Sequence, residues 1–389
     1  MLKPGNAFLD FLKLQDGADD NPKNAAITNL AGGWTSHEID SRLLQTYRDV
    51  VNDDVLFKQS NKYSSSNGFS SVIEQVANYE RIIFHADQLS NDEVLLGHSA
   101  SNLLLNVLKA TLDPGDTVLL NRPYYPNFVF QSQLLRANIE YYDTVNEDLE
   151  NTINEETLID KIRSSKCRVY LICLPDNPLG FVYSQTLLNN IATELNKQNA
   201  YLIIDYSYKV FTYEEVPKYY GNRGHENIVA VNSFSKSFVS MGRRFGYVVA
   251  NKNIIDQIRY KQIVDLLCPD SLHQIVIREY LKNSLPNGSV HNYLAEVNAQ
   301  YKETFNYCKS ILSDEEITFA DSKNGIYFYI RANKTCESMM HVLDEKQIKI
   351  LSGKLYGSPD NYFRISIGPL IQDTAKLYST LNFIVDIIK

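Results

Sequence analysis

Short apolar runs alternate with amphipathic stretches along the chain from about residue 93 onward. The clearest apolar runs lie at residues 116–120, 168–174, 201–205, 228–231 and 246–250. These runs are continuous rather than alternating, which predicts strands that are buried on both faces. Patterns of helical period separate them, as at residues 184–196. The alternation predicts an α/β fold in which a mostly parallel sheet lies between helices.

The pattern changes near residue 289, where one long helix is predicted over residues 289–312. It is followed by a predicted strand at 326–330, a helix at 336–344, a strand at 362–367 and a terminal helix from Gln372. This order indicates a smaller α+β unit, which we expect the N-terminal segment to join. We therefore predict a large domain over residues 40–287 and a small domain made of residues 1–39 and 288–389.

Composition narrows the functional class. The 389 residues are 44% hydrophobic and 22% charged, as in soluble globular proteins large enough for two domains. The net charge of −8 and the scattered basic residues argue against a nucleic-acid partner. We find no signal-peptide core and no apolar run of about 18 residues, so a membrane partner is not expected. The five cysteines lack CxxC spacing, which predicts no metal site and favours a reducing cytoplasm.

Polar residues follow the predicted parallel strands. Asn177 comes after one strand, Asp205 ends the next, and Ser233 and Lys236 follow a third. Taken singly, Asp205 could cap the next element and Asn177 could form a turn. However, ligands of parallel sheets bind beyond the carboxyl ends of the strands, and these residues cluster there.

One lysine and one arginine point to a particular cofactor chemistry. Lys236 lies between serines, and Arg244 follows between Gly242 and Gly246. A lysine with a lowered pKa can form an imine with an aldehyde, and arginine binds phosphate through two donors. A solvated loop is the ordinary interpretation of a lysine beside serines. The combination with Arg244 instead favours a phosphorylated aldehyde as ligand.

These segments resemble the pyridoxal 5′-phosphate (PLP) aminotransferases of fold type I, in the class I/II branch of the aspartate aminotransferase superfamily. The resemblance covers roughly residues 60–370 and implies a seven-stranded sheet. It implies that Lys236 forms a Schiff base with PLP and later acts as general base. It further implies that Asp205 keeps the ring nitrogen protonated, and that Tyr208 and Asn177 bind the ring oxygen.

The resemblance also assigns the phosphate site. Ser99, Ala100 and Ser101 occupy the positions of the family's phosphate loop, ahead of an apolar helix predicted over residues 103–112. Ser233 and Arg244 are the other implied phosphate donors. The loop around Asn177 departs from the family pattern, because Asp176 and Leu179 stand where Asn and Thr are usual.

Further residues are implied at the substrate side. Tyr125 is expected to stack on the cofactor ring. A buried arginine such as Arg364 could simply form an internal ion pair, but the resemblance implies that it binds the substrate α-carboxylate. Gly33 and Trp34 lie in the region that lines the substrate pocket. Tyr63 resembles a tyrosine that reaches the phosphate of the neighbouring subunit's cofactor, which implies a homodimer with shared active sites.

The resemblance implies an enzyme that moves the α-amino group of an L-amino acid to a 2-oxo acid. Relatives on the same fold use PLP as oxidases, hydroxylases, cyclases or lyases of specialised metabolism, and this remains the alternative. A PLP-binding regulator without catalysis is a third class, but the chain has no basic DNA-binding extension and keeps Lys236. The sequence does not identify the amino acid that serves as substrate.

Overall fold

The computed structural model describes residues 27–213 and 225–389. The described helices are α1 (Ser41–Asn52), α2 (Asp54–Ser60), α3 (Ser70–Ile83), α4 (Ser99–Thr111), α5 (Pro126–Leu134), α6 (Glu155–Ser165), α7 (Gln185–Lys197), α8 (Lys252–Leu266), α9 (Ser271–Ser284), α10 (Ser289–Asp314), α11 (Cys336–Glu345) and α12 (Thr374–Ile388). The described strands are β1 (Thr28–Asn29), β2 (Val94–Gly97), β3 (Thr117–Arg122), β4 (Asn138–Asp143), β5 (Val169–Cys173), β6 (Tyr201–Asp205), β7 (Ile228–Ser233), β8 (Gly246–Ala250), β9 (Thr318–Phe319), β10 (Tyr327–Arg331), β11 (Ile348–Lys349), β12 (Leu351–Ser352) and β13 (Tyr362–Ser366).

Seven strands form the main sheet in the order β2-β8-β7-β6-β5-β3-β4. Strand β8 runs antiparallel to both of its neighbours, and the other pairs are parallel. Every residue of β5 and β8 is buried, since helices cover both faces of the sheet. The predicted α/β architecture with a mostly parallel seven-stranded sheet is confirmed.

A smaller sheet forms from the C-terminal part of the chain, in the order β12-β13-β10-β9. All its pairs are antiparallel, and β13 places Arg364 opposite Tyr329 of β10 and Leu351 of β12. Strand β1 pairs separately with β11 in parallel. Helix α10, with 26 residues, links the two regions. The predicted domain boundaries stay a prediction, and residues 1–26 of the small domain lie outside the described residues.

Helix α4 begins earlier than its apolar pattern predicts. Its first turn consists of Ser99, Ala100 and Ser101, whereas the pattern placed these residues in a loop before Leu103. The Ser99 hydroxyl accepts a hydrogen bond from the Asn102 N–H at 3.4 Å, which partners one of the otherwise unpaired amides at the helix start. Small polar residues thus form the first turn of the helix, ahead of the apolar segment from which it was predicted.

The parallel order brings three strand ends together. Strands β5, β6 and β7 are neighbours, and Cys173 at the end of β5 is in register with Asp205 at the end of β6. The segments that carry Asn177, Asp205 and Lys236 therefore leave the sheet at one edge. No helix within residues 27–213 and 225–389 combines the length and apolar character needed to cross a membrane.

Candidate active site

Two adjoining cavities lie at the carboxyl edge of the main sheet, of about 770 Å³ and about 100 Å³. All of the predicted site residues except Tyr63 line one or both of them. The residues common to both cavities are Ser101, Tyr125, Asn177, Tyr208, Lys236 and Arg244. Asp205 lines only the small cavity and Arg364 only the large one, whereas Lys236 and Arg244 line both.

Asp205 supplies a buried carboxylate to the small cavity. It is 7% exposed, and its Oδ1 accepts hydrogen bonds from the Ser207 N–H at 2.9 Å and the Ser207 hydroxyl at 2.6 Å. Burial raises the pKa of this carboxyl, while the charge of Lys236 partly opposes the rise. A buried carboxylate needs a cationic or donor partner, and a protonated ring nitrogen would provide one.

Lys236 lies at the boundary of the two cavities, where its Nζ is 5.6 Å from the centre of the Tyr208 ring. Burial first, and then the positive charges of Arg244 and Arg364, lower its pKa to about 8, while the charge of Asp205 partly opposes the shift. The N-terminal segment holds its loop: the Thr35 hydroxyl donates to the Lys236 carbonyl at 3.1 Å. At a pKa near 8, a useful fraction of this amine is neutral and nucleophilic at physiological pH.

The start of helix α4 borders one end of the small cavity. The first turn of α4 contributes Ser99, Ala100 and Ser101, and Ser233 and Arg244 also line it. Ser99 and Arg244 have φ values of +71° and +50°, a strained conformation that recurs at functional sites. The unpaired amides and positive dipole end of α4, together with Arg244, suit a phosphate group.

Gly246 lets β8 pass close to this helix start. A Cβ at residue 246 would lie 2.6 Å from the Asn232 carbonyl and 3.2 Å from the Ala100 nitrogen. The contact with the Asn232 carbonyl is too short for any Cβ, so the backbone would have to move. The second glycine of the motif around Arg244 therefore has a steric reason in the fold.

Arg364 supplies a buried guanidinium to the large cavity and is 3% exposed. Its Nη1 donates to the Asn177 side-chain oxygen at 2.9 Å, and its Nη2 donates to the Ala31 carbonyl. Its Nε has no hydrogen-bond partner among the described residues. Because neither partner is anionic, the guanidinium keeps a charge that an anionic ligand would neutralise.

A tyrosine that the sequence analysis missed joins these groups. The Tyr327 hydroxyl donates to the Tyr208 hydroxyl, which in turn donates to the Gly33 carbonyl at 2.9 Å. The face of the Tyr327 ring lies 4.1 Å from the guanidinium carbon of Arg364. Residue 33 must be small here, since a Cβ would lie 2.5 Å from the Tyr327 oxygen. In the sequence, Tyr327 is recognisable only as one residue of the strand predicted at 326–330.

The loop around Asn177 tolerates its two departures from the family pattern. Asp176 is buried, and its Oδ1 accepts a hydrogen bond from the Leu179 N–H at 3.0 Å. Burial raises the pKa of Asp176 to about 7. Leu179 is 1% exposed and packs in a small apolar cluster with Phe181 and Tyr329. Neither change removes Asn177 from the cavities.

Tyr63 lies away from both cavities, and its side chain is 81% exposed. Its loop is held against α8, because Arg259 Nε donates to the Ser66 hydroxyl at 2.7 Å. The described chain does not bring Tyr63 to its own site. The predicted contact with a neighbouring subunit's cofactor stays a prediction.

The donor set fits PLP. A partly neutral lysine lies between a helix start with serines and an arginine, which suit the phosphate, and a buried carboxylate, which suits the ring nitrogen. The guanidinium of Arg364 lies on the side of the larger cavity, where an amino-acid carboxylate can enter.

Comparisons with known proteins agree with this geometry. A family model described as aminotransferase class I and II matches residues 27–377. The aspartate aminotransferase of Thermotoga maritima is 25% identical over 336 residues, which cover 84% of this chain and 85% of the relative. The histidinol-phosphate aminotransferase of Methanocaldococcus jannaschii is 24% identical over 279 residues, covering 70% of each.

Solved structures of aminotransferases share the fold. Aspartate aminotransferase from Thermus thermophilus with maleate has a TM-score of 0.82 at 18% identity, covering 98% of this chain and 97% of the other. Aspartate aminotransferase from Thermotoga maritima has a TM-score of 0.81 at 21% identity, with 99% and 97% covered. The comparisons favour transamination over the oxidase, hydroxylase, cyclase and lyase alternatives. Because the family model spans most of the chain, the protein belongs to the class I and II aminotransferases, the fold type I enzymes that transfer amino groups with PLP.

Proposed function

We propose that this aminotransferase takes the α-amino group of an L-amino acid and delivers it to a 2-oxo acid at the two adjoining cavities. One observation carries the assignment of the site. Lys236, with its pKa lowered to about 8, lies at the boundary between a cavity with a buried carboxylate and a cavity with a buried guanidinium. When bound, PLP supplies an aldehyde that bonds to amines and a protonated ring that accepts electrons.

The small cavity is the proposed cofactor site. Lys236 Nζ would bond to the aldehyde of PLP, and the Asp205 carboxylate would keep the ring nitrogen protonated. The hydroxyl of Tyr208 and the amide of Asn177 would bind the ring oxygen, and Tyr125 would contact the ring. Ser99, Ala100, Ser101, Ser233 and Arg244 would bind the phosphate.

The large cavity is the proposed substrate site. Arg364 binds the α-carboxylate through its planar fork, which sets the orientation of the α-carbon. The Lys236 amine would act as general base and accept the substrate α-proton at Nζ. Gly33 and Trp34 line the wall on the N-terminal side. The amino donor would leave as a 2-oxo acid, and the acceptor 2-oxo acid would bind at the same residues.

The test uses purified enzyme with PLP and a panel of L-amino acids. We expect a yellow protein whose near-visible absorption is bleached by an amino donor and restored by a 2-oxo acid. Borohydride should fix the cofactor to Lys236. Label on another lysine, or normal turnover by Lys236→Ala, would overturn the assignment. A requirement for oxygen in place of the 2-oxo acid would point back to an oxidase.

We further propose a homodimer with shared active sites. Tyr63 is 81% exposed, and Tyr260 and Val264 of the adjacent helix α8 are 64% and 76% exposed. Large apolar side chains exposed together favour a protein partner, and a second copy is the common one. In such a dimer, Tyr63 reaches the phosphate of the partner's cofactor.

A mixing experiment tests the shared site. Tyr63→Leu and Lys236→Ala would each be nearly inactive alone. A hybrid dimer would carry one site with both defects and one site with neither. After subunit exchange at equal amounts we expect about a quarter of the parent activity, because about half of the dimers are hybrids with one intact site. No recovery in a verified hybrid dimer would contradict the shared site.

We also propose the domain boundaries and the cellular location. The large domain covers residues 40–287, and the small domain covers residues 1–39 and 288–389. The five cysteines are all unpaired, as is usual in a reducing compartment, so we propose a cytoplasmic location. Limited proteolysis would test the domain boundaries, and fractionation of the source cells would test the location.

A further inference from the structure

The N-terminal strap, defined as residues 31–37, contacts several groups of the proposed site. Its first four residues line the large cavity. Within them, the Ala31 carbonyl accepts a hydrogen bond from Arg364, and the Gly33 carbonyl accepts one from the Tyr208 hydroxyl at 2.9 Å. The first half of the strap therefore meets the groups proposed to bind the substrate carboxylate and the ring oxygen.

The second half of the strap contacts the loop that carries the lysine. The Thr35 hydroxyl donates to the Lys236 carbonyl at 3.1 Å, and His37 Nε2 donates to the Ser237 carbonyl at 3.3 Å. Thr35 is 1% exposed and His37 is 2% exposed. Two consecutive carbonyls of the lysine loop are thus bound by buried side chains that lie 201 and 200 residues away in sequence.

The hydrogen bonds of His37 define its tautomer. A carbonyl can only accept, so Nε2 carries the proton and Nδ1 accepts from the Tyr301 hydroxyl at 3.3 Å. Tyr301 is a fully buried residue of α10, and its ring lies edge-on to the imidazole. Burial lowers the pKa of His37 to about 4, while the bond to the Ser237 carbonyl partly opposes the shift. The imidazole is therefore neutral at physiological pH and has one fixed donor.

Ser36 faces the opposite side of the strap. Its hydroxyl lies 2.9 Å from the Gly368 carbonyl and 3.0 Å from the Pro369 carbonyl. Its backbone N–H also donates to the Gly368 carbonyl, at 3.2 Å. Ser36 thus fixes the strap to the C-terminal region, whereas its two neighbours in the strap bind the lysine loop.

We propose that Thr35 and His37 are positioning residues for Lys236, because their hydrogen bonds fix the backbone from which its amine reaches the substrate α-carbon. The inference rests on the proposed function, since it takes Lys236 as the group that accepts the α-proton. Proton transfer requires close alignment of Nζ with that proton. A misplacement of about 1 Å can slow a reaction on the order of 100-fold.

The first experiment measures single-turnover bleaching of the holoenzyme by the L-amino acid that reacts best with the parent. Thr35→Val deletes the hydroxyl and keeps the shape of the side chain. We expect its maximal rate to fall about three- to tenfold, as for the loss of one hydrogen bond to a carbonyl. The half-saturating concentration should change by less than about twofold, because Arg364 still binds the α-carboxylate. Thr35→Ser restores the hydroxyl and should restore the rate.

The second experiment applies the same assay to His37. His37→Met removes both ring nitrogens, and we expect the maximal rate to fall about three- to tenfold. His37→Gln places an amide donor near the position of Nε2 and should keep most of the rate.

Two readouts separate positioning from stability. A variant that is only less stable loses bleaching amplitude, because fewer molecules bind the cofactor, but its remaining sites react at the parent rate. A misplaced Lys236 lowers the rate at full amplitude. An α-deuterated amino acid should then slow the variant at least as much as the parent, since proton transfer limits the rate. Ser36→Ala is the matched control, because it removes a hydroxyl of the same strap that faces residues 368–369, and it should keep the parent rate.

The outcomes distinguish this inference from the function beneath it. Parent rates in both Thr35→Val and His37→Met, or a loss of amplitude alone, would refute the positioning role and leave the aminotransferase assignment standing. An equal slowing in Ser36→Ala would also refute it, because the effect would then belong to the strap as a whole. If no amino acid bleaches the parent, the proposed function fails and this inference fails with it.

Discussion

Replacing Arg364 by lysine is the most informative perturbation of the proposed substrate site. Arginine there donates to Asn177 at 2.9 Å and to the Ala31 carbonyl, while Tyr327 covers one face at 4.1 Å. Lysine retains the positive charge but has a single ammonium in place of the planar fork. One ammonium cannot hold both neighbours and also present two parallel donors to a carboxylate.

The expected loss follows from these contacts. A hydrogen bond to a charged group is worth about 1.5–3 kcal/mol. Only arginine can donate to Asn177 and to the Ala31 carbonyl and still donate to a carboxylate. If Arg364→Lys loses one such bond to the carboxylate and misaligns the other, the transition state loses about 3–4 kcal/mol. This corresponds to a fall in kcat/KM on the order of 100- to 1,000-fold.

The assay is the single-turnover bleaching of the bound cofactor by an amino acid and by its decarboxylated amine. We expect the loss with the amino acid only, since the amine offers Arg364 no carboxylate. Arg331→Lys is the matched control, because Arg331 ends the neighbouring strand β10 and pairs with Asp148 at the surface. A change in kcat/KM below about threefold with the amino acid would mean that Arg364 is structural.

Three further perturbations test other parts of the site. Tyr327→Phe removes only the hydroxyl that donates to Tyr208, so we expect the pH dependence of the cofactor absorption to shift. The control Tyr329→Phe, on the same strand, should leave this pH dependence unchanged. The same pH dependence in Tyr327→Phe and the parent would contradict a role for the Tyr327 hydroxyl. Asp205→Asn should fold, bind PLP and slow α-proton exchange on the order of 100-fold, as for the loss of one electrostatic stabiliser, and exchange at the parent rate would remove its role. Cofactor-free enzyme should bind PLP faster as the pH rises through about 8, because the neutral amine of Lys236 attacks the aldehyde and burial favours the neutral form. Acceleration only near 10.5, the ordinary pKa of lysine, would show that the side chain is solvated.

Much of the site was predictable because its residues lie at strand ends. The apolar runs locate β5, β6 and β7, and the residues that follow them, such as Asn177 and Asp205, are then placed at one edge by parallel order alone. Lys236 and Arg244 were recognisable because both lie in one short segment with a characteristic order. The prediction was less accurate at α4, where the apolar pattern starts four residues after the helix does.

Other members of the site could not be found this way, because their role depends on where separate segments meet. Tyr327 is 119 residues from Tyr208 in sequence, yet their hydroxyls are hydrogen-bonded. Thr35 and His37 appear in the sequence as polar residues ahead of a helix, and their hydrogen bonds exist only because the fold brings them to residues 236 and 237.

The sequence by itself determined the family, the cofactor chemistry and the sheet, since each depends on local order: apolar runs, the residues that end them and a short lysine segment. The tertiary structure decided which side chains share a cavity and what each one lacks there. It lowered the pKa of Lys236 through burial, left Arg364 without an anionic partner and placed Thr35 and His37 against the lysine loop. These properties depend on desolvation and on distances across the fold, and neither is written in the order of residues.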